Sequence, residues 1–201
     1  MPWKVGLIRP QKLLSLIRQA RAEATIPIRM KSANTDNAMH QSAIDSRGMR
    51  IAIVESSYHH DICVALARGA VDAFTQAGGD SQNLVHVHAP GSYELVAISL
   101  ALAERSDIDA VVALGCVLTG ETSHDRYLCD AVAHGLMDVT IRTGKPVAFG
   151  LLTCITIEQA RARAGGSKGN KGIEAMHAAI AATRTIQGIR KSQDVVAGAH
   201  R

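Results

Sequence analysis

The chain has few aromatic residues, few cysteines and no long apolar run. Aromatic side chains make up 3% of its 201 residues, and its four cysteines form no CxxC pair. The sequence shows no secretory leader, so we interpret the cysteines as reduced thiols of a cytoplasmic protein. No apolar run approaches the roughly 18 residues that a membrane span needs, so we expect no membrane association.

Basic residues are concentrated near the amino terminus. The formal net charge is +4, but residues 1–48 contain eight basic and three acidic side chains, and the remainder is nearly neutral. The remainder therefore has no basic surface of the kind that binds nucleic acid, and we expect no such partner. With 47% hydrophobic residues, the chain can bury the core of one domain.

The first 48 residues differ in character from the rest. Apolar and basic residues mix between positions 4 and 21 in a pattern that fits a short amphipathic helix, and a polar stretch from Ser32 to Gly48 has no period. We predict a disordered basic extension over residues 1–48, or translation from a start codon upstream of Met49. A targeting or cargo-contact role stays open. Residues 49–192 are predicted to form the domain, and residues 193–201 a flexible tail.

From Arg50 onward, strand and helix patterns alternate. Apolar runs predict strands over residues 51–54, 84–88, 110–114 and 147–152. Helices are predicted over residues 61–76, 93–104 and 125–142, from a capping box at Thr156 to Gly165, and from Asn170 to about Arg190. Strands joined by helical crossovers predict an α/β fold, a three-layer α/β/α sandwich with a four-stranded parallel sheet.

Loops with chemistry-bearing residues follow three of these strands. They are residues 55–60, 89–94 and 115–124, and ligands of open parallel sheets bind beyond the carboxyl ends of the strands. The third loop turns through glycines and enters a helix near His124, where backbone N–H groups favour an anion and an imidazole can move protons. A further loop adds Arg163, Lys168 and Lys171, cations that suit a phosphorylated substrate.

Histidines near the second strand raise the question of a metal ion. His86 and His88 share one face of the strand, but no third ligand has suitable spacing, so we expect no metal site. His59 and His60 are interpreted as loop residues, and contact of His59 with the binding pocket stays open.

Four segments carry recognisable motifs in a fixed order. They are Pro90 to Leu95, Gly115 to His124, Thr156 to Gly165, and Gly169 to Gly172. In order and spacing they resemble the signatures of the 6,7-dimethyl-8-ribityllumazine synthase family, the penultimate enzyme of riboflavin biosynthesis. The resemblance covers about residues 49–192. It implies a flavodoxin-like fold with strand order 2-1-3-4.

The resemblance also implies a reaction and an assembly. Members of this transferase family condense 5-amino-6-ribitylaminouracil with 3,4-dihydroxy-2-butanone 4-phosphate, without a metal or an organic cofactor. The products are 6,7-dimethyl-8-ribityllumazine, phosphate and water. Such enzymes are homopentamers with sites between subunits, and in some members twelve pentamers close into an icosahedral 60-mer.

The motif positions imply a role for each site residue. His124 would be the acid/base group, Tyr58 would stack on the pyrimidine, and Phe149 and Lys171 would come from a neighbouring subunit. Phosphate would be held by Glu121, Thr122 and Arg163. The binding site for the ribityl chain and the pyrimidine would be lined by Ser92, Tyr93, Glu94, Cys116, Val117 and Leu118.

Each role has a structural alternative, and some positions depart from the family pattern. His124 and Glu94 could be ordinary residues at helix starts, Arg163 a solvated cation at a helix end, and Phe149 a core residue. The departures are His59 in place of Asn, Val96 in place of Pro, Thr119 in place of Arg, and Asp125-Arg126 in place of an aromatic residue and an acid. We expect them to alter rate rather than identity. The alternative function is a catalytically weak shell-forming or flavin-binding protein of this fold; a flavodoxin-like nucleotide binder would leave residues 163–172 without a role.

Overall fold

A four-stranded parallel sheet forms the centre of the protein, whose computed structural model describes residues 44–198. Its strands are β1 (Ile51–Ser56), β2 (Leu84–Ala89), β3 (Ala110–Leu118) and β4 (Val147–Cys154). The order is β2-β1-β3-β4 and all neighbours are parallel, so the α/β fold class and the strand order implied by the resemblance are confirmed.

Five helices cover the two faces of the sheet. They are α1 (His60–Gln76), α2 (Leu95–Ala103), α3 (His124–Thr143), α4 (Ile157–Arg163) and α5 (Lys171–Gly198). Helices α1 and α5 pack with one core cluster, and α2 and α3 with the other. A 3₁₀ turn precedes β2 at Ser81–Asn83, and a small hairpin, β5 (Ala164–Gly166) with β6 (Gly169–Asn170), joins α4 to α5. No helix among the described residues is both long and apolar enough to span a bilayer.

Several element boundaries differ from the predicted ones. Strand β3 continues four residues past Leu114 because Gly115, Cys116 and Val117 stay buried and keep pairing with β4. Helix α5 continues to Gly198, beyond the predicted end near Arg190. The hairpin was not predicted, because strands of three and two residues show no periodicity.

Two predicted caps are present. Thr156 Oγ1 accepts a hydrogen bond from the Gln159 backbone N–H at 3.3 Å and so caps α4. In a capping box the Gln159 side chain would accept from the N–H of Thr156. Here Gln159 Oε1 instead accepts from the N–H of the preceding residue, Ile155, at 3.1 Å. Asn170 Oδ1 accepts from the Gly172 N–H at 2.8 Å and opens α5.

Glycines allow α1 and α5 to approach each other closely. Asn170 Nδ2 donates to the Ala65 carbonyl of α1 at 2.8 Å, which ties the start of α5 to α1. A Cβ on Gly172 would overlap the Leu66 carbonyl oxygen, and a Cβ on Gly69 would lie 2.5 Å from the Asn170 side chain. This contact holds the hairpin between Arg163 and Lys171 against α1.

Residues 44–48 pack on the domain ahead of the predicted boundary at Met49. Ser46 is buried; its Oγ donates to the Phe74 carbonyl at 2.8 Å and its N–H to the Ala77 carbonyl at 3.0 Å. Arg184 of α5 donates to the carbonyls of Asp45 and Arg47 at 2.8 and 2.7 Å. The segment therefore connects the end of α1 to α5. The rest of the predicted extension, residues 1–43, lies outside the described residues.

Removing this segment should destabilise the domain. We expect a chain that starts at Met49 to lose about 2 kcal/mol of unfolding free energy, because it loses Ser46's buried hydrogen bonds and the carbonyl partners of Arg184. We nevertheless expect a chain that starts at Met49 to fold, to assemble and to keep its activity. Urea unfolding measures the difference.

The matched control is a chain that starts at Ile44, which keeps every one of these contacts. It should unfold at the same urea concentration as the full chain, and Ser46→Ala in the full chain should cost about 1 kcal/mol. Equal stability of the chains starting at Met49 and at Ile44 would show that residues 44–48 contribute nothing.

Candidate functional site

A cleft of about 760 Å³ lies at the carboxyl ends of β1, β2 and β3. The three loops that the sequence placed at this edge do meet here. We call it the carboxyl-edge cleft. Its lining residues are Tyr58, His59, Gly91, Ser92, Tyr93, Glu94, Cys116, Val117, Leu118, Thr119, Gly120, Thr122, His124, Asp125 and Leu128.

The turn from β3 into α3 forms one wall of this cleft. His124 is the first residue of α3 and is exposed, as is Thr122 just before it. Ser123, in the N-cap position, makes no side-chain cap hydrogen bond. The Arg126 N–H bonds to the Ser123 carbonyl at 3.2 Å, so the N–H groups of His124 and Asp125 are left for another acceptor, and the helix dipole favours a negatively charged one. An anion bound at this helix start would lie beside the imidazole of His124.

An exposed aromatic ring stands on the wall formed by the loop after β1. Tyr58 is 66% exposed and meets the His59 ring edge to face, with 4.8 Å between ring centroids. His59 has a left-handed backbone, with φ at 54° and ψ at 50°. A ring this exposed contributes little to the core, so stacking on a planar ligand is the role its position favours.

The loop after β2 supplies the polar part of the cleft. Ser92 is buried, and a Cβ on Gly115 would lie 3.0 Å from Ser92 Oγ and 2.6 Å from Leu151 Cδ1. Gly115 is thus required for Ser92 to sit against β3. Glu94 is exposed at the start of α2, and its Oε2 lies close to Gly91. A hydroxyl and a carboxylate here suit a ligand that is rich in hydroxyl groups.

Two buried cysteines, Cys63 and Cys116, are protonated thiols at neutral pH. All four cysteines are free, and Cys116 is 1% exposed although it borders the cleft. Burial raises the pKa of Cys116 to about 11 and that of Cys63 to about 12. A thiol with such a pKa is a poor nucleophile, so we assign Cys116 no nucleophilic role in the cleft.

Three of the predicted site residues line a separate depression of about 390 Å³ between β4 and α5. We call it the side pocket; it contains Phe149, Arg163 and Lys171. Lys171 pairs with Glu174 at 2.6 Å, whereas Arg163 donates to the Gln159 carbonyl at 3.1 Å and has no acidic partner within residues 44–198. Arg163 is therefore the cation of this pocket that can take an anion.

The predicted site residues thus form two groups on one chain. Nine of them line the carboxyl-edge cleft and three line the side pocket. Glu121 is exposed but does not line the cleft, although Gly120 and Thr122 on either side do. Sequence reasoning missed Leu128, which the helical spacing from His124 could have indicated, since residues four apart share a helix face.

The fold and the cleft define an α/β protein with a small-molecule site at the carboxyl edge of its sheet. A family model described as 6,7-dimethyl-8-ribityllumazine synthase matches residues 48–187. The chain belongs to this family.

This chain covers nearly the whole length of relatives that carry the same description. The protein of Thermus thermophilus is 41% identical over 148 residues, which is 74% of this chain and 94% of the relative. That of Kocuria rhizophila is 45% identical over 147 residues, 72% of this chain and 92% of the relative. That of Aquifex aeolicus is 36% identical over 152 residues, 76% and 99% respectively.

Proposed function

We propose that the protein is a 6,7-dimethyl-8-ribityllumazine synthase, which condenses 5-amino-6-ribitylaminouracil with 3,4-dihydroxy-2-butanone 4-phosphate. The observation that carries the proposal is the carboxyl-edge cleft, whose lining brings together an exposed aromatic ring, a hydroxyl with a carboxylate, and a helix start with a histidine. These are the three recognition elements that the two substrates require. A cytoplasmic location is part of the proposal, and four free thiols fit it.

In this proposal each part of the substrates lies against one wall of the cleft. The pyrimidine stacks on Tyr58, and its ribityl hydroxyls lie near Ser92 and Glu94. The phosphate of the second substrate sits at the start of α3 near Thr122. The 5-amino group attacks the ketone and water leaves to give an imine. Phosphate is then eliminated, and the ribitylamino nitrogen attacks the carbonyl that forms, which closes the second ring with loss of a second water. His124 moves the protons, while the cleft holds the reacting atoms together.

The site is completed by a second copy of the chain. Arg163, Phe149 and Lys171 line the side pocket and not the carboxyl-edge cleft of the same chain. A neighbouring subunit that places its side pocket at the cleft supplies the guanidinium for the phosphate and a second ring for the pyrimidine. Exposed apolar residues on one side of α3, Tyr127, Met137 and Ile141, also favour burial between subunits. We infer a homopentamer or a larger closed assembly.

Incubation of the protein with both substrates, followed by the absorbance of the lumazine product, tests the proposal. Product formation supports it. The alternative, a weak shell-forming or flavin-binding protein, predicts ligand binding without product.

His124→Ala is expected to lower kcat by no more than about 10²-fold. General acid/base catalysis accelerates a reaction by roughly 10²- to 10⁴-fold, and this reaction depends strongly on holding two substrates together. Single-turnover kinetics measures the effect. The matched control is His134→Ala, which removes another exposed histidine of α3, one whose Nδ1 bonds to the Asp130 carbonyl. An unchanged kcat in an assembled His124→Ala protein would remove His124 from the mechanism.

Light scattering at micromolar concentration should find at least a pentamer. Ile141 is 73% exposed on the single chain, so Ile141→Glu places a charge in the surface that we expect to be buried and should shift the protein toward smaller species. A wild-type monomer at that concentration would contradict the shared site.

A further inference from the structure

A cluster outside the carboxyl-edge cleft joins a buried carboxylate to two histidines. Glu55 lies on β1, and its register partner on β2 is His88; His86 is the partner of Ile53, two residues earlier. The three side chains therefore point to the same face of the sheet. One ligand atom from each lies within 4.8 Å of the others. The two imidazole rings are 5.2 Å apart between centroids.

Glu55 is unusual because it is charged and almost completely buried. Its side chain is 1% exposed on an inner strand whose other residues are apolar or serine. Oε2 lies 2.8 Å from His86 Nε2, but Oε1 is buried and has no hydrogen-bond partner among the described residues. A buried carboxylate with one oxygen unpaired costs free energy, and an apolar residue at this position would avoid that cost.

We propose that Glu55, His86 and His88 bind a divalent first-row transition metal ion such as Zn²⁺. Two imidazole nitrogens and one carboxylate form a donor set typical of such ions, whereas Mg²⁺ and Ca²⁺ prefer oxygen ligands throughout. The ion binds the Glu55 carboxylate, of which only one oxygen otherwise has a hydrogen-bond partner. His86 and His88 are exposed, so solvent reaches the fourth coordination position.

Small side-chain movements complete the geometry. Zinc ligands at about 2.0–2.2 Å from the ion lie roughly 3.5 Å from one another in a tetrahedral site. The separation of the three ligand atoms, now up to 4.8 Å, has to shorten. The distance between Glu55 Oε2 and His86 Nε2, now 2.8 Å, has to lengthen slightly. The two imidazoles are on the edge strand β2 and are exposed, so ring rotation is sufficient.

The site joins β1 to β2 just before both strands end. Ser56 and Tyr58 follow Glu55, and Ala89 and Gly91 follow His88, so the ion would brace the two loops that carry Tyr58 and Ser92. It contacts neither substrate in the proposed reaction. The inference therefore does not depend on the proposed function, and its test requires no substrate.

Titration of the full-length protein with Zn²⁺ against a chromophoric chelator tests the site. Wild-type protein should bind one Zn²⁺ per chain, and Zn²⁺ should raise its melting temperature. His88→Ala should weaken binding by about 10²-fold or more, since loss of a residue that merely orients a ligand already costs 10- to 100-fold. His134→Ala is the matched control, because it removes one exposed histidine elsewhere and should bind Zn²⁺ like wild type.

Two further measurements separate the site from surface binding. Co²⁺ bound by wild type should show the intense visible absorption of a four- or five-coordinate site, and His88→Ala should lose it. Glu55→Gln keeps the shape of the side chain and should weaken Zn²⁺ binding at least 10-fold. Three results would each overturn the proposal. They are equal Zn²⁺ affinity of wild type and His88→Ala, a loss of affinity in His134→Ala as large as that in His88→Ala, and full Zn²⁺ affinity in a folded Glu55→Gln protein. Because His88 is exposed, His88→Ala remains decisive even if Glu55→Gln does not fold.

Discussion

Replacing Arg163 with alanine is expected to lower kcat/KM by about 10²-fold or more without disturbing the fold. Arg163 is half-buried, and among the described residues its guanidinium donates only to the Gln159 carbonyl of its own helix, so the guanidinium adds little to stability. Its loss removes charge-assisted hydrogen bonds to the substrate phosphate, worth roughly 3 kcal/mol together, which corresponds to about 10²-fold in rate. Steady-state kinetics with varied phosphate substrate measures the loss.

Arg161→Ala is the matched control, since Arg161 lies on the same short helix but does not line the side pocket. It removes the same charge and should change kcat/KM by less than about twofold. An Arg163→Ala protein with wild-type kcat/KM would exclude Arg163 from phosphate binding.

Mixed assemblies test whether the site is shared. Arg163→Ala chains keep an intact carboxyl-edge cleft, and His124→Ala chains keep an intact side pocket. If neighbouring subunits share a site, coassembly of the two variants should create intact sites, roughly one in four for random mixing in equal amounts. Activity of the mixture above the mean of the two variants supports sharing; activity at the mean shows that each chain holds its own site.

Gly172→Ala is expected to destabilise the protein by about 3 kcal/mol or more. A Cβ there would overlap the Leu66 carbonyl oxygen, which is main chain and can move only if α1 and α5 separate. Their separation would also weaken the hydrogen bond from Asn170 to the Ala65 carbonyl, which is 2.8 Å long. Denaturant unfolding measures the change in free energy.

The same helix contains a matched control. Gly188 lies on the exposed side of α5, and a Cβ there would have no heavy atom within 4 Å. Gly188→Ala should therefore stabilise the protein by about 0.5–1 kcal/mol, because alanine favours a helix more than glycine does. Equal stability of Gly172→Ala and wild type would show that the two helices have room to separate at no cost.

Periodicity predicted most elements of the fold, since the four long strands and most of the helices have apolar patterns of their own, and the capping box at Thr156 predicted α4. The carboxyl-edge cleft was also predictable, because parallel topology brings the ends of β1, β2 and β3 to one edge. Neither the hairpin between α4 and α5 nor the packing of residues 44–48 was predicted, because both depend on contacts rather than on periodicity.

Spatial relations between distant residues were beyond the sequence argument. Thr122 and Arg163 were both predicted to hold phosphate, but they line different depressions of one chain. The third residue of the histidine cluster was missed for a similar reason: Glu55 lies 31 positions before His86 and meets it only through strand pairing. Residue spacing along one segment cannot reveal a neighbour on the next strand.

The backbone of His59 makes the two walls of the cleft unlike each other. A left-handed conformation costs a residue with a Cβ roughly 1–2 kcal/mol, and asparagine tolerates it better than histidine. That cost falls on the turn between β1 and α1, next to the ring of Tyr58, whereas Cys116 and Val117 on the opposite wall belong to a buried strand. The aromatic wall therefore stands on a backbone that the rest of the fold holds in place at a cost, and the opposite wall stands on one that strand pairing already fixes.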